Sequence, residues 1–301
     1  MKVISHSIIH HFLQQLITCC LFLSAVCIGY SQGHQADENN AKSPFIFDQH
    51  NLDQNIKDLS AIYAYMGKYY RAVEKAEVNL LDEVFHSGWF MRDTDTPKEA
   101  TLNVENKATF IKRVKDHGPY PGYASERVFA DVGMANDDLA FVRVNRAATR
   151  SSTCFFLFKM ANGWTIMDKL WVPVREAATT HASKAHSTIE EMLNGYFQAL
   201  AQSDAKAISQ MLHEDWNVKS IGSGGTFKTS SKTEFLESVQ KQKQPIDHSQ
   251  LLSINIYHEK LAVVRIDIPS KSATSYLILF KIGNEWKIVS ERKTTKMDDE
   301  V

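Results

Sequence analysis

Apolar and polar positions along this chain fall into two matching series. In the second half Ile189, Met192, Leu193, Tyr196, Phe197 and Leu200 recur at helical spacing, and Ile208, Met211 and Leu212 resume the pattern after the polar stop Gln202, Ser203, Asp204. The period then shortens to two. Leu261 to Ile268 alternates and is rich in Val and Ile, whereas Thr153 to Phe158 and Ser275 to Phe280 are apolar at nearly every position. Asn162-Gly163 and Gly283-Asn284 mark hairpin turns into Trp164 and Trp286. Each half therefore reads as helix, helix, short strand, helix, then three or four strands. Asn106 caps the third helix of the first half; Ser231 and Glu234 form a capping box in the second.

The two series are one module written twice. Tyr69 to Trp89 aligns without a gap on Tyr196 to Trp216 at a spacing of 127. Lys107, Phe110 and Val114 fall on Lys232, Phe235 and Val239 at 125, and Leu139 to Ile166 falls on Leu261 to Ile288 at 122. Repetition of this kind fixes an architecture before it names a function. A strand apolar on both faces needs cover on both sides. Helices of its own copy supply one cover, and the other copy is the nearest source of the second, so the pattern predicts an intrachain pseudo-dimer docked sheet to sheet.

The ends and joints lack this periodicity. Lys2 is the only Lys, Arg, Asp or Glu in the first thirty residues, and the apolar run from Leu16 to Tyr30 is shorter than the roughly 20 residues of a spanning helix. Residues 1–31 are expected to be a signal peptide cleaved after Ser31, which leaves no stable membrane span. Lipid attachment at Cys27 is disfavoured by the bulk of Val26. Residues 32–55 read as a polar tether, 56–174 as the first domain, 175–187 as a linker and 188–296 as the second domain. The expected location is outside the cytoplasm, periplasmic or secreted.

Composition narrows the chemistry. With 301 residues, 44% hydrophobic and 23% charged, each copy can build its own core. A formal net charge of −1 and the absence of a basic cluster argue against nucleic acid. Three of the four cysteines lie in the leader, so Cys154 remains alone, an inert core thiol.

The order of elements, with Leu212-His213-Glu214-Asp215-Trp216 closing the helical pair and Phe280-Lys281-Ile282-Gly283-Asn284-Glu285-Trp286-Lys287-Ile288-Val289 near the end, resembles the nuclear transport factor 2-like superfamily, and within it the putative lumazine-binding family. The resemblance implies an α+β fold, two tandem cone-shaped domains, each a curved and mostly antiparallel sheet on about three helices with an apolar pocket at the open end. It implies a small apolar or aromatic ligand and no cofactor. Ketosteroid isomerase-like members hold an oxyanion with a helix tyrosine and a protonated acid while a strand aspartate moves the proton. By resemblance the tyrosine falls on Tyr69 and Tyr196, the base on Asp93 and Ser220, and the second acid near Phe156 and Ile278, which carry no proton to donate.

Several residues are candidates for a site. Tyr69, Asp93 and His86 form the catalytic candidate set; Tyr69, His86, Trp89 and Arg143, with their twins Tyr196, His213, Trp216 and Arg265, form the ligand-binding set. Each has a plainer role: the histidines cap helix carbonyls, the tryptophans fill core, and the arginines pair with Asn145 or Asp267 across the joined sheets. Gly222 to Gly225 lacks the Gly-Lys-Ser/Thr ending of a phosphate loop and reads as a turn. No metal site is expected from the histidines, His181 and His186 of the linker included. Three readings follow: a non-catalytic binding protein, an isomerase, dehydratase or cyclase working from the first copy, or an interaction module with filled cones.

Overall fold

The computed structural model describes residues 49–94, 101–135, 137–146, 149–173, 182–222, 225–241, 250–268 and 273–295. The first domain runs α1 (Gln49–Lys75), α2 (Val78–Val84), β1 (Phe85–Asp93), β2 (Asn103–Asn106), α3 (Lys107–His117), β3 (Arg127–Ala135), β4 (Leu139–Arg146), β5 (Ser151–Met160) and β6 (Gly163–Pro173). The second repeats it: α4 (Ala182–Ala201), α5 (Ala205–Met211), β7 (Leu212–Gly222), β8 (Thr226–Ser231), α6 (Lys232–Lys241), β9 (Gln250–Tyr257), β10 (Leu261–Ile268), β11 (Ala273–Ile282) and β12 (Glu285–Thr295). The signal peptide lies outside the described residues, as do 32–48 of the tether. Helix α1 begins at Gln49 and α4 at Ala182, so 49–55 and 182–187 are helix rather than tether or linker. Neither stretch holds Pro or Gly, and a helix anchored by its packed face extends until something stops it.

Each domain is α+β with a six-stranded mixed sheet, ordered β2-β1-β6-β5-β4-β3 and β8-β7-β12-β11-β10-β9. All pairings are antiparallel except β1 with β6 and β7 with β12. The expected capping is in place. Asn106 accepts from the Thr109 amide at 2.9 Å, and Ser231 and Glu234 bond reciprocally, Ser231 N to Glu234 Oε2 at 2.7 Å and Glu234 N to Ser231 Oγ at 3.3 Å. Lys107 and Lys232 close the preceding short helices by donating to their last carbonyls, Asp82 and Phe85 in one copy and Ser209 and Leu212 in the other. That role was expected of His86 and His213. Both histidines instead accept through Nδ1 from an amide two residues on, Gly88 N at 3.0 Å and Asp215 N at 3.2 Å.

Three apolar clusters hold the fold. Helix α1 turns Ile62, Met66, Tyr69, Tyr70 and Val73 onto Val142, Val144, Phe155 and Leu157. The second domain repeats this with Ile189, Leu193, Tyr196 and Leu200 on Val264, Leu277 and Leu279. The third cluster is the seam between the sheets: Phe141, Cys154, Phe156, Phe158 and Leu170 of the first meet Leu261, Val263, Tyr276, Ile278 and Phe280 of the second. Strands β5 and β11 are apolar on both faces because one face is cone interior and the other is seam. Phe155 points into its own cone and Phe156 across the seam, as strand alternation requires. Each such side chain contributes roughly 1.5–3 kcal/mol by leaving water. Gly225, just before β8, has φ +78, and an added Cβ would stand 2.8 Å from the Ala161 amide nitrogen of the first domain. Of the glycine stretch, Gly225 thus lies close against the neighbouring backbone, while Ser223 and Gly224 lie outside the described residues.

One irregularity positions everything that follows. The β5–β6 register shifts between Phe156, opposite Asp168, and Leu157, opposite Ile166, leaving Met167 as an extra residue. A bulge flips the alternation beyond it. Ile166 belongs to the first cone and Met167 to the seam, and Asp168 also reaches the seam; Lys169 returns to the cone and Leu170 to the seam. The same shift recurs in β11–β12 between Ile278 and Leu279.

Candidate functional site

Two adjoining hollows open at the mouth of the first cone. The larger is a cleft of about 710 Å³ with Met91, Asp93, Arg146 and Trp171 on its walls; the smaller, of about 190 Å³, reaches inward beside Phe110. Arg113, Tyr120, Tyr123 and Lys169 line both.

Lys169 is the residue the bulge places here. It is 6% exposed, and its ammonium sits 4.9 Å from the Phe110 ring centroid and 5.9 Å from that of Tyr69. Among the described residues no carboxylate lies within ion-pair distance of it. Burial pushes its pKa down and the Arg113 and Arg146 charges push the same way, against the pull of Tyr123 and Glu105. The two arginines are already engaged. Arg113 bonds Glu105 through Nε at 3.0 Å and Nη2 at 2.7 Å, while Arg146 bonds Glu126 at 2.8 Å and lies 4.0 Å from the Tyr123 ring centroid. The Nε of Arg146 is buried without a partner.

Tyr123 comes from the turn after α3, where Gly122 at φ +83 donates its amide to Glu74. Its hydroxyl meets that of Tyr69 at 3.3 Å. Burial raises both phenols. For Tyr69 burial prevails; for Tyr123 the Lys169 charge, the bond from Tyr69 and the two arginines outweigh it, so Tyr123 yields its proton more readily.

The sequence candidates scatter. Asp93 lines the cleft and accepts from Asn103 Nδ2 at 2.9 Å. Tyr69 is fully buried behind Tyr123 and is not on the cleft wall. His86 is at the seam, its ring 4.4 Å from that of Phe227 of the second domain, so Tyr69, Asp93 and His86 do not form one site. Trp89 stacks on Phe85 at 4.3 Å, and Trp216 meets Phe235 tilted at 4.6 Å; both tryptophans are core. Arg143 and Arg265, candidates either for a ligand in the cones or for pairing across the joined sheets, share the seam face of their strands with Phe141 and Val263. Arg143 pairs with Asp131 at 2.7 Å and covers Tyr257 of the second domain at 5.2 Å, and Arg265 lies 3.6 Å from Asp267. Tyr196 is buried in the second core. His213, Glu214 and Asp215 bring one ligand atom each within 4.8 Å, but the two acids are exposed. His181 lies outside the described residues, and His186 is 3.4 Å from Glu190.

A second buried cluster escaped the sequence reading. Asp168, fully buried, accepts from Arg92 at 3.0 Å, Lys219 at 3.1 Å and Arg292 at 2.7 Å. Lys219 and Arg292 belong to the second domain, so one carboxylate ties the two sheets together.

Among known proteins, residues 184–292, the second domain, match the family model described as putative lumazine-binding. An NTF-2-like protein from Silicibacter pomeroyi matches at 17% identity over 39% of this chain and 97% of its own, with a TM-score of 0.33. An NTF2-like protein from Methylobacillus flagellatus matches at 18% over 40% and 96%, with a TM-score of 0.33. A ketosteroid isomerase-like protein from Erwinia carotovora atroseptica matches at 14% over 36% and 94%, with a TM-score of 0.28. No curated protein matches the sequence significantly.

Proposed function

We propose, for a nuclear transport factor 2-like chain close to the putative lumazine-binding family, that it is an exported, non-catalytic protein that holds a small aromatic ligand in the cone of its first domain. The open cleft at that cone's mouth carries the reading. A concave site that joins aromatic surface to convergent polar groups suits a small ligand; Met91, Tyr120, Tyr123 and Trp171 supply the apolar part of a lining that is otherwise polar, Arg113, Arg146 and Lys169 included. A filled cone would make this chain an interaction module; the cleft speaks against that for the first domain.

The absence of catalysis rests on the mismatch of roles. The helix tyrosine of an isomerase must touch its ligand, yet Tyr69 is covered by Tyr123. The second acid's position is Phe156, which faces the seam. Asp93 alone stands where a base would stand, and a lone carboxylate does not complete the constellation. Export rests on the apolar leader of residues 1–31, and intact mass of the processed protein should place its first residue at Gln32.

Native mass spectrometry of protein from its own host, paired with titration of the neutral fluorophore phenylnaphthylamine, tests the binding role. One retained small molecule, or saturable probe binding at one site, is expected. A bare chain that binds no probe would return the protein to the interaction-module reading, and turnover of a retained ligand would make it an enzyme.

A further inference from the structure

Resting on that binding role, we infer that the ligand is a planar organic monoanion, of the size of an aromatic carboxylate, whose negative group sits against Lys169 at the inner end of the cleft. Three observations converge. Lys169 is an almost wholly buried ammonium on the wall of both hollows. Arg113 and Arg146 each have a carboxylate of their own in Glu105 and Glu126, and among the described residues none lies within ion-pair distance of Lys169, which feels Glu105 and Tyr123 only from farther off. A buried cation without a counter-charge is costly unless an anion or water reaches it. The Phe110 and Tyr69 rings lie 4.9 and 5.9 Å from the ammonium and stabilise it in part, but neither carries a counter-charge.

The neighbours shape that anion. Tyr123's hydroxyl and the unpartnered Nε of Arg146 are donors at the same end, so an oxygen pair finds three kinds of donor. Tyr120 and Trp171 flank the cleft and suit a flat ring. Asp93 lies on the same wall, opposite Trp171 in the sheet where Met91 lies opposite Lys169, two residues or roughly 7 Å along the strand. The second domain has Glu291 at the position of Lys169 and does not share this preference for an anion.

The test compares naphthoate with naphthamide, two probes of one shape that differ in charge, by isothermal titration calorimetry on the full processed chain. Naphthoate is expected to bind on the order of tenfold more tightly, the range of a charge-assisted hydrogen bond, and Lys169→Met should erase the difference while leaving naphthamide bound. Equal affinities, or a preference for naphthoate that survives Lys169→Met, would overturn the anion and leave the pocket standing. If phenylnaphthylamine binds and neither naphthyl probe does, the anion again fails. If none of the three binds, the pocket fails and the inference with it. Should that variant not fold, equal affinities in the unaltered chain would still overturn the anion, and Lys169→Gln takes the place of Lys169→Met in testing the lysine.

Discussion

The two cones share a plan and differ in sign. Tyr69 and Tyr196 occupy the same place in their first helices, Phe110 and Phe235 in their third, and both stand in their own cores. At the mouth the copies part. Lys169 corresponds to Glu291, Arg113 to Ser238 and Arg146 to Ile268. Glu291 accepts from Ser275 Oγ at 2.8 Å and adds its repulsion to the burial that raises Tyr196. Duplication has preserved what builds the cone and exchanged what a ligand would meet. Fold is shared and site is not.

The seam breaks the symmetry as well, and the largest expected effect lies there. Arg92 and Lys219 are twins, but Asp168 corresponds to Ser290 and Leu170 to Arg292, so a single acid faces three cations. Making the copies alike with Asp168→Ser would leave those cations buried without a counter-charge and should cost about 3–5 kcal/mol, read as a lower urea midpoint. A midpoint within error of the parent would show that the acid is not what joins the sheets. Acidity reports on the same cluster. Burial pushes Lys219 down to about 7, with help from Arg292 and Arg92 and against Asp168. Between that value and the ordinary 10.5 the unfolded chain holds a proton that the folded chain does not, so stability rises with pH across that window. Lys219→Met should flatten the rise. Asp168, held well below the usual carboxylate range by Arg292 and Lys219 against its burial, gives up its contribution only in strong acid.

Next in size is the exchange of the cone charges. Lys169→Glu copies the second mouth into the first, and naphthoate affinity should fall at least about tenfold while naphthamide changes little. The reverse exchange, Glu291→Lys, should not create an anion site, because Ser238 and Ile268 supply no flanking guanidinium. Gain of naphthoate binding in that variant would mean that one ammonium suffices and that the arginines are idle.

Much of the scaffold was legible because it is local or periodic. The capping box at Ser231, the hairpin glycines and the helical stripe ending at Leu200 are written in a few adjacent residues each. The seam was legible from β5 and β11, whose two apolar faces had to be covered twice. The site was not, and the reason is the bulge at Met167. Strict alternation from Trp164 and Ile166 would carry Asp168 into the cone and Lys169 to the seam, the reverse of what occurs. An adjacent acid and base inside an apolar strand was the one available signal. Arg143 and Arg265 left two roles open for a related reason: their strands have no cone-facing charge before the sheet edge, so the seam face and the cone face look equally apolar in sequence, and only the fold puts both at the seam beside Asn145 and Asp267. Tyr123 arrives from a turn with no period at all, and its meeting with Tyr69 depends on a chain reversal that only the folded protein specifies.

The smallest expected difference concerns how the two third helices begin. Asn106 serves α3 with one bond, to Thr109, whereas α6 has the reciprocal pair of Ser231 and Glu234. Asn106→Ala should therefore cost about 1 kcal/mol, visible as a small fall in the urea midpoint, and it should be the same at every pH because an amide does not titrate. The second cap titrates. The Ser231 amide and hydroxyl hold Glu234 below its ordinary value, so this cap contributes above the unfolded carboxylate's pKa and is lost as pH falls through the folded one. Amide exchange in the first turn of α6 should quicken in acid beyond the intrinsic rate, while that of α3 should not. Equal behaviour of the two turns would mean that Ser231 alone holds the second helix and that the glutamate adds nothing.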